Sequence, residues 1–198
     1  MVPLDSIGRT LLIAAVFFCA CSEDSLRSLQ NNTEQFSQNA AAKIDVLWVI
    51  DNSDSMGDEQ SALGRSFEAF ITTLVASSVD YHIGAISTDP NDAGRLHEGA
   101  SEISFITPTT IAPAAVFLEN VSVGTRGSPL ERGFETMTLA LGVGPEWIVG
   151  TPPSPPNPGF LRDDAALFVI AVSDEDDESF GPVAYYQRVV ESYKGAGN

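Results

Sequence analysis

Cysteine is nearly absent. The 198 residues hold two, Cys19 and Cys21, both close to the amino terminus. No internal disulfide can form in the rest of the chain, so a folded domain there must be held by its core. Basic residues are few: 10 Lys and Arg stand against 27 Asp and Glu, giving a formal charge of -17 and a sequence pI near 4.2. That balance excludes nucleic acid as a partner, because such affinity comes from cations neutralising phosphates. It disfavours an anionic membrane surface for the same reason. Histidine is limited to His82 and His97, and neither has a Cys or His neighbour at zinc-ligand spacing. A GxxxxGK(S/T) phosphate loop is missing, which removes the P-loop hydrolases. The amino-terminal apolar run, residues 10–20, is about half the ~20 residues that a membrane-spanning helix needs. What the chain does have is core material: 43% of its residues are hydrophobic, 11 of them Phe. It is therefore not disordered overall, and its length suits one domain of ordinary size beyond the amino-terminal segment.

The run Thr10-Leu-Leu-Ile-Ala-Ala-Val-Phe-Phe-Cys-Ala20 follows a polar segment and has the size of a signal-peptide core. Small Ala20, directly before Cys21 and Ser22, resembles a bacterial lipoprotein signal, in which the cysteine becomes the lipidated first residue. An ordinary secretory signal cleaved nearby is the alternative, and both export the chain. The expected organisation is a signal peptide over residues 1–20, lipidation at Cys21, a polar Ser-, Gln-, Asn- and Glu-rich tether over 21–43, and a domain over 44–198. Lipidation accounts for the single thiol left after cleavage. The chain is then displayed on the bacterial cell envelope as an outer-membrane lipoprotein, touching the membrane only through its lipid. Asn31-Asn32-Thr33 and Asn120-Val121-Ser122 match the N-glycosylation pattern, a chance match behind a bacterial-type signal.

After residue 43 the pattern is α/β. Ile44–Ile50 is a short, β-branched, almost wholly apolar run, as expected of a strand covered on both faces. Leu63, Phe67, Phe70, Ile71, Leu74 and Val75 then fall on one helical stripe. Val79–Ser87 reads as a second strand, Ile103–Thr107 as a short edge strand, and Ala112–Glu119 as a turn or two of helix. Leu130, Gly133, Phe134, Met137, Ala140 and Leu141 return to helical spacing, with Ser128 as N-cap and Pro129 in the first turn. Thr151–Gly159, with five prolines, reads as a stiff exposed loop. Ala165–Val172 is a third buried strand, and Tyr185–Tyr193 a last amphipathic helix. Strands alternating with helices predict a doubly wound, mostly parallel sheet, whose ligands bind outside the carboxyl ends of the strands. Asp51 and Asp174 lie at that edge, one after each of two buried strands.

The segment Asp51-Asn-Ser53-Asp-Ser55 alternates its oxygens toward one side of a tight loop. Hard cations such as Mg²⁺ need about six oxygens in an octahedron, often partly from water. One carboxylate and two hydroxyls from this loop supply half of that shell. Asp174 adds a second carboxylate, directly or through water, and a hydroxyl from the loop Thr125–Ser128 closes the site. The competing reading is that Asp51 is a turn or cap residue and that Ser53 and Ser55 are ordinary loop formers. Glu175 to Glu178 are read as solvated surface, and His82 and His97 as structural or exposed.

The segment DVLWVIDNSDSM resembles the opening of a von Willebrand factor A (VWA, integrin I-like) domain, whose metal-ion-dependent adhesion site carries Asp-x-Ser-x-Ser after the first strand. The family adds a Thr or Ser on a later loop and an Asp closing a strand of the type seen in VIAVSDEDD. The resemblance spans Ile44 to the carboxyl terminus. It implies a VWA/Rossmann-like fold with Asp51, Ser53, Ser55 and Asp174 as metal ligands. Ser128 is the third-loop ligand, with Thr125 as the alternative. Asp54 stands where the family usually has Gly. The family fold continues with further strands after a helix like the one ending near Lys194, which implies a sheet truncated at its carboxyl-terminal edge.

The resemblance further implies function: an Asp or Glu from a partner protein completes the shell of an under-neutralised ion, so the expected activity is cation-dependent, adhesion-type protein binding and not catalysis. Mg²⁺ is the expected ion, with Mn²⁺ or Ca²⁺ as substitutes. Two alternatives stand beside it. A metal-dependent phosphohydrolase of the haloacid dehalogenase type also places Asp after a first strand, but its Asp-x-Asp needs an acid where this chain has Ser53. The other is a structural calcium-binding surface domain with no partner at the ion.

Overall fold

The computed structural model describes residues 42–143 and 156–194. The expected signal peptide, Cys21, the tether up to residue 41 and part of the proline-rich loop lie outside the described residues. Strand β1, Lys43–Ile50, carries apolar side chains on both faces, because successive residues of a strand point to opposite sides. Val46, Trp48 and Ile50 join one buried cluster, while Leu47 and Val49 join another. Strand β2, Asp80–Ser87, and strand β4, Ala166–Val172, flank β1, and both run parallel to it. The short β3, Phe105–Ile106, pairs antiparallel with β2. The result is an α/β architecture around an open, mixed, four-stranded sheet of order β3-β2-β1-β4.

Helices cover both faces. On the Trp48 side, α1 (Gly57–Ala76) contributes Phe67 and Ile71, and α2 (Pro113–Val121) contributes Val116, Phe117 and Val121. Phe67 stacks on Phe117 with ring centroids 3.5 Å apart, and Trp48 meets Phe117 edge-on at 5.4 Å. On the Leu47 side, α3 (Gly133–Ala140) contributes Met137 and Ala140, and α4 (Val183–Lys194) contributes Tyr186. Each large side chain fully buried this way stabilises the fold by roughly 1.5–3 kcal/mol relative to exposure.

Several expectations are modified. The sheet is mixed, because β3 joins β2 antiparallel and keeps only two residues of the expected Ile103–Thr107 strand. The run Ala165–Val172 reads as a buried strand, yet β4 is the edge of the described sheet and Phe168 is 52% exposed. Apolar content marks a strand but not its rank within the sheet. Val75, expected on the buried stripe of α1, is 61% exposed. Helix α3 starts at Gly133, with no side-chain cap from its N-cap residue Arg132. Its free N–H groups are taken from a distance: Phe134 donates to Asp177 Oδ2 at 3.1 Å, and Glu135 donates to Ser179 Oγ at 3.1 Å. The expected cap at Ser128 is therefore replaced, because residues 127–132 are held as a loop against the strand ends. Gly127 N–H donates to the Asn52 carbonyl and Arg132 N–H to that of Thr88.

At the amino end of the sheet sits a buried charge. Asp45 is fully buried, and Arg162 meets it twice, through its backbone N–H at 2.7 Å and its Nε at 2.9 Å. Lys194 Nζ lies 3.8 Å away, and Arg162 Nη1 also reaches Asp80 Oδ1 at 2.9 Å. The network ties β1, β2, the segment entering β4 and the end of α4 together. Asp45→Ala removes the buried carboxylate that Arg162 and Lys194 share, leaving Arg162 only its pair with Asp80, and is expected to cost about 3 kcal/mol or more, read as a lowered urea midpoint. A loss below about 1 kcal/mol, the scale of an exposed pair, would show that the network does not hold the sheet.

Candidate metal centre

Parallel pairing brings the carboxyl ends of β1, β2 and β4 level: Ile50 aligns with Ser87 on one side and Val172 on the other. The ladder continues one step further on each side. Asp51 N–H donates to the Val172 carbonyl at 3.0 Å, and Thr88 N–H donates to the Ile50 carbonyl at 3.0 Å. Asp51 is fully buried. Its Oδ1 accepts the Ser53 N–H at 2.7 Å, a local turn that an Asp at this position forms readily. Its Oδ2 accepts the Ser173 hydroxyl at 2.6 Å. Gln60 on α1 donates from Nε2 to the Asp51 carbonyl at 2.9 Å and to the Gly124 carbonyl at 2.8 Å, joining three segments at one point.

The predicted first-loop residues come together with the distant carboxylate. Ser53 Oγ lies 3.2 Å from Ser55 Oγ, and Ser55 Oγ donates to Asp174 Oδ1 at 3.1 Å. Asp51 and Ser53 are buried, while Ser55 and Asp174 are exposed, so the group has a deep side and a solvent side. Asp54 points to solvent between them.

The third loop is arranged otherwise. Ser128 donates its N–H to Asp89 Oδ2 at 3.0 Å, and its Oγ accepts the Leu130 N–H at 3.1 Å. Its hydroxyl thus serves its own turn. The Thr125 methyl faces the start of α1, 3.8 Å from the position a Gly57 Cβ would take. Among the described residues no hydrogen bond joins Ser128 or Thr125 to Asp51, Ser53, Ser55 or Asp174. The residue of this loop that turns inward is Glu131, 2% exposed. Thr88 donates its hydroxyl to Glu131 Oε2, while Glu131 Oε1 is buried without a hydrogen-bond partner. Burial, followed by the nearby Asp51 carboxylate, pushes the Glu131 pKa up to about 7, against the opposing pull of the Thr88 hydroxyl. Asn52 Oδ1 is a second buried oxygen without a partner. It faces Gly127, where any Cβ would lie about 2.0 Å from it.

Sequence reasoning missed Glu131, Thr88, Ser173 and Gln60. Ser173 carried a signal, since it immediately precedes Asp174 at the same strand end. Glu131 carried none, for one acid among 27 does not announce its burial. The turn from Asp174 to Glu178 is also more than surface, because Asp177 caps α3. Neither histidine belongs to the group: His82 Nδ1 bonds the Phe160 carbonyl at 2.7 Å and His97 Nδ1 that of Asn120 at 3.1 Å. No ion pair among the described residues involves Asp51, Glu131 or Asp174.

The donors are carboxylates and hydroxyls, a set suited to hard divalent ions and not to zinc. In an octahedron with metal–oxygen bonds near ~2.1 Å, adjacent oxygens are about 3.0 Å apart. The 3.2 and 3.1 Å separations at Ser53, Ser55 and Asp174 match that edge length within a few tenths of an ångström. Among the described residues no three His, Cys, Asp or Glu side chains converge into a cage. The donor types at Asp51, Ser53, Ser55 and Asp174 are those of a hard ion that also keeps water ligands. Comparisons with family models, curated proteins and solved structures return no match.

A carboxyl whose pKa is higher in the folded chain than its ordinary 4.5 binds its proton more tightly when folded. In chelator, the Glu131 contribution to stability is therefore most favourable below pH 4.5. It falls as pH rises toward about 7, by on the order of 3 kcal/mol, and stays at its low value above that. Comparing pH-dependent urea midpoints of wild type and Glu131→Gln isolates the effect. Identical slopes between those pH limits would contradict it.

Proposed function

We propose that this chain is a divalent-cation-dependent, protein-binding module of the adhesion type, with a doubly wound VWA-like fold. In this reading it is displayed on the bacterial cell envelope through a lipid on Cys21. The observation that carries the reading is the hydrogen-bonded series Ser53, Ser55 and Asp174 beside buried Asp51, at the level carboxyl ends of two adjacent parallel strands. Open α/β sheets bind their ligands at that edge.

The bound ion, Mg²⁺ by preference with Mn²⁺ or Ca²⁺ as substitutes, supplies a positive centre able to take one more anionic oxygen. The protein's own residues do the rest. Ser53 and Ser55 are neutral donors, so they hold an ion without cancelling its charge. Asp51 is fixed by the Ser53 N–H and the Ser173 hydroxyl, which leaves it little freedom to swing away. Ser55 and Asp174 are exposed, so the remaining coordination positions face solvent, where an Asp or Glu of a partner protein could reach them. Recognition rather than turnover fits this donor set, because both histidines bond backbone carbonyls through Nδ1 and, among the described residues, neither is hydrogen-bonded to a serine as a Ser-His pair requires.

Asp51→Ala is expected to weaken Mg²⁺ binding by about tenfold or more, measured by calorimetry, while circular dichroism stays unchanged. Cation-dependent capture of a protein from envelope extracts, abolished by chelator and by the same variant, is the expected companion result. Equal Mg²⁺ affinity in wild type and variant would overturn the reading.

A further inference from the structure

We propose that Glu131, and not the hydroxyl of Ser128 or Thr125, is the oxygen donor that the third loop brings to the cation site. The inference rests on the cation-binding reading above and adds a residue to it, with consequences for the ion that is held.

The first argument is the path of the loop. Three backbone anchors press it against the strand ends: Gly127 N–H on the Asn52 carbonyl, the Gly124 carbonyl under Gln60, and Arg132 N–H on the Thr88 carbonyl. Between the last two anchors, the chain turns Glu131 inward and leaves Pro129 and Leu130 outside. Thr88, which holds Glu131 Oε2, bonds through its own N–H to Ile50, the residue before Asp51. On the other side, Glu131 and Ser173 line one apolar groove, and Ser173 is the hydroxyl bound to Asp51. Glu131 is thus brought to Asp51 from both neighbouring strands.

The second argument is the unpaired oxygen. Buried polar atoms almost always have partners, and a buried carboxylate oxygen without one is costly. Among the described residues Glu131 Oε1 has none, and its neighbour Asp51 is a fully buried acid with no cationic side chain paired to it. Two buried acids repel each other unless a shared proton or a cation lies between them. A divalent cation does this with both acids ionised, and Oε1 has the free lone pairs to bind it. The hydroxyl of Ser128 offers less, since it already serves the Leu130 N–H.

With Glu131 included, the donors available around the strand ends are three acids and two hydroxyls, all hard oxygen donors. No three acids converge directly among the described residues, so Asp51 and Glu131 form the deep side and Asp174 acts across Ser55 from the solvent side. A more anionic donor set raises affinity for the larger hard ions, Ca²⁺ and Mn²⁺, whose shells tolerate more carboxylates than that of Mg²⁺.

The test is calorimetric titration of Mn²⁺ and Ca²⁺ into chelator-stripped full chain, as wild type, Glu131→Gln, Ser128→Ala and Thr125→Val, with melting curves of each stripped protein. Glu131→Gln is expected to lose about tenfold or more in affinity, whereas the two hydroxyl variants stay within about threefold of wild type. Stripped Glu131→Gln is expected to melt at or above wild type, because the amide removes a buried like charge and can donate to Asp51. Affinity within about threefold of wild type in Glu131→Gln overturns the assignment while leaving the cation site itself intact. So does a larger loss in Ser128→Ala or Thr125→Val than in Glu131→Gln. A stripped Glu131→Gln that melts below wild type makes Glu131 a purely structural residue and also overturns it. Absence of binding in wild type overturns the cation-binding reading together with this one.

Discussion

The hydrogen bond from Asp51 N–H to the Val172 carbonyl, the step that extends the β1–β4 ladder past its last aligned pair, is the constraint on which the site depends. Parallel strands in register end together. When one ends in Asp-x-Ser-x-Ser and its neighbour in Ser-Asp, their oxygens have to share a small volume. The contacts that follow, Ser173 on Asp51 and Ser55 on Asp174, are consequences of that register. A slip by one residue would turn β4's side chains to the opposite face and separate the two segments.

The two ends of the sheet treat buried charge in opposite ways. At the amino end, Asp45 meets Arg162 and Lys194, so its charge is balanced by the chain itself. At the carboxyl end, Asp51 and Glu131 receive only hydroxyl and N–H donors among the described residues. A buried acid pair without a counter-ion costs stability, and a fold that keeps one gains something from it elsewhere. The balanced end holds the strands while the unbalanced end carries a standing demand for positive charge. Arg132, the nearest basic residue along the chain, does not meet that demand, for it pairs with Glu135 and lies over the Phe180 ring.

Much of this was legible in the order of residues. The apolar runs of β1 and β2 and, Val75 apart, the stripe of α1 fall where the pattern of side chains puts them, because periodicity tracks burial. Asp51, Ser53, Ser55 and Asp174 could be named because each lies within a few residues of a strand end. The third loop resisted reading for a physical reason. Its conformation comes from backbone anchors to Asn52 and Thr88, which have no signature in side-chain spacing. The α3 cap was hidden likewise, since Asp177 stands 43 residues from the N–H it accepts. The edge position of β4 depends on what lies beside it, and an all-apolar run such as Ala166–Val172 carries no record of that.

The most direct measurement is anomalous diffraction at the manganese edge from crystals of the full chain grown with Mn²⁺. The account predicts one strong peak within coordination distance of Ser53 Oγ and Ser55 Oγ, at the carboxyl ends of β1 and β4. A well-diffracting crystal saturated with Mn²⁺ that shows no peak there, or shows its peak away from the β1–β4 strand ends, would contradict it.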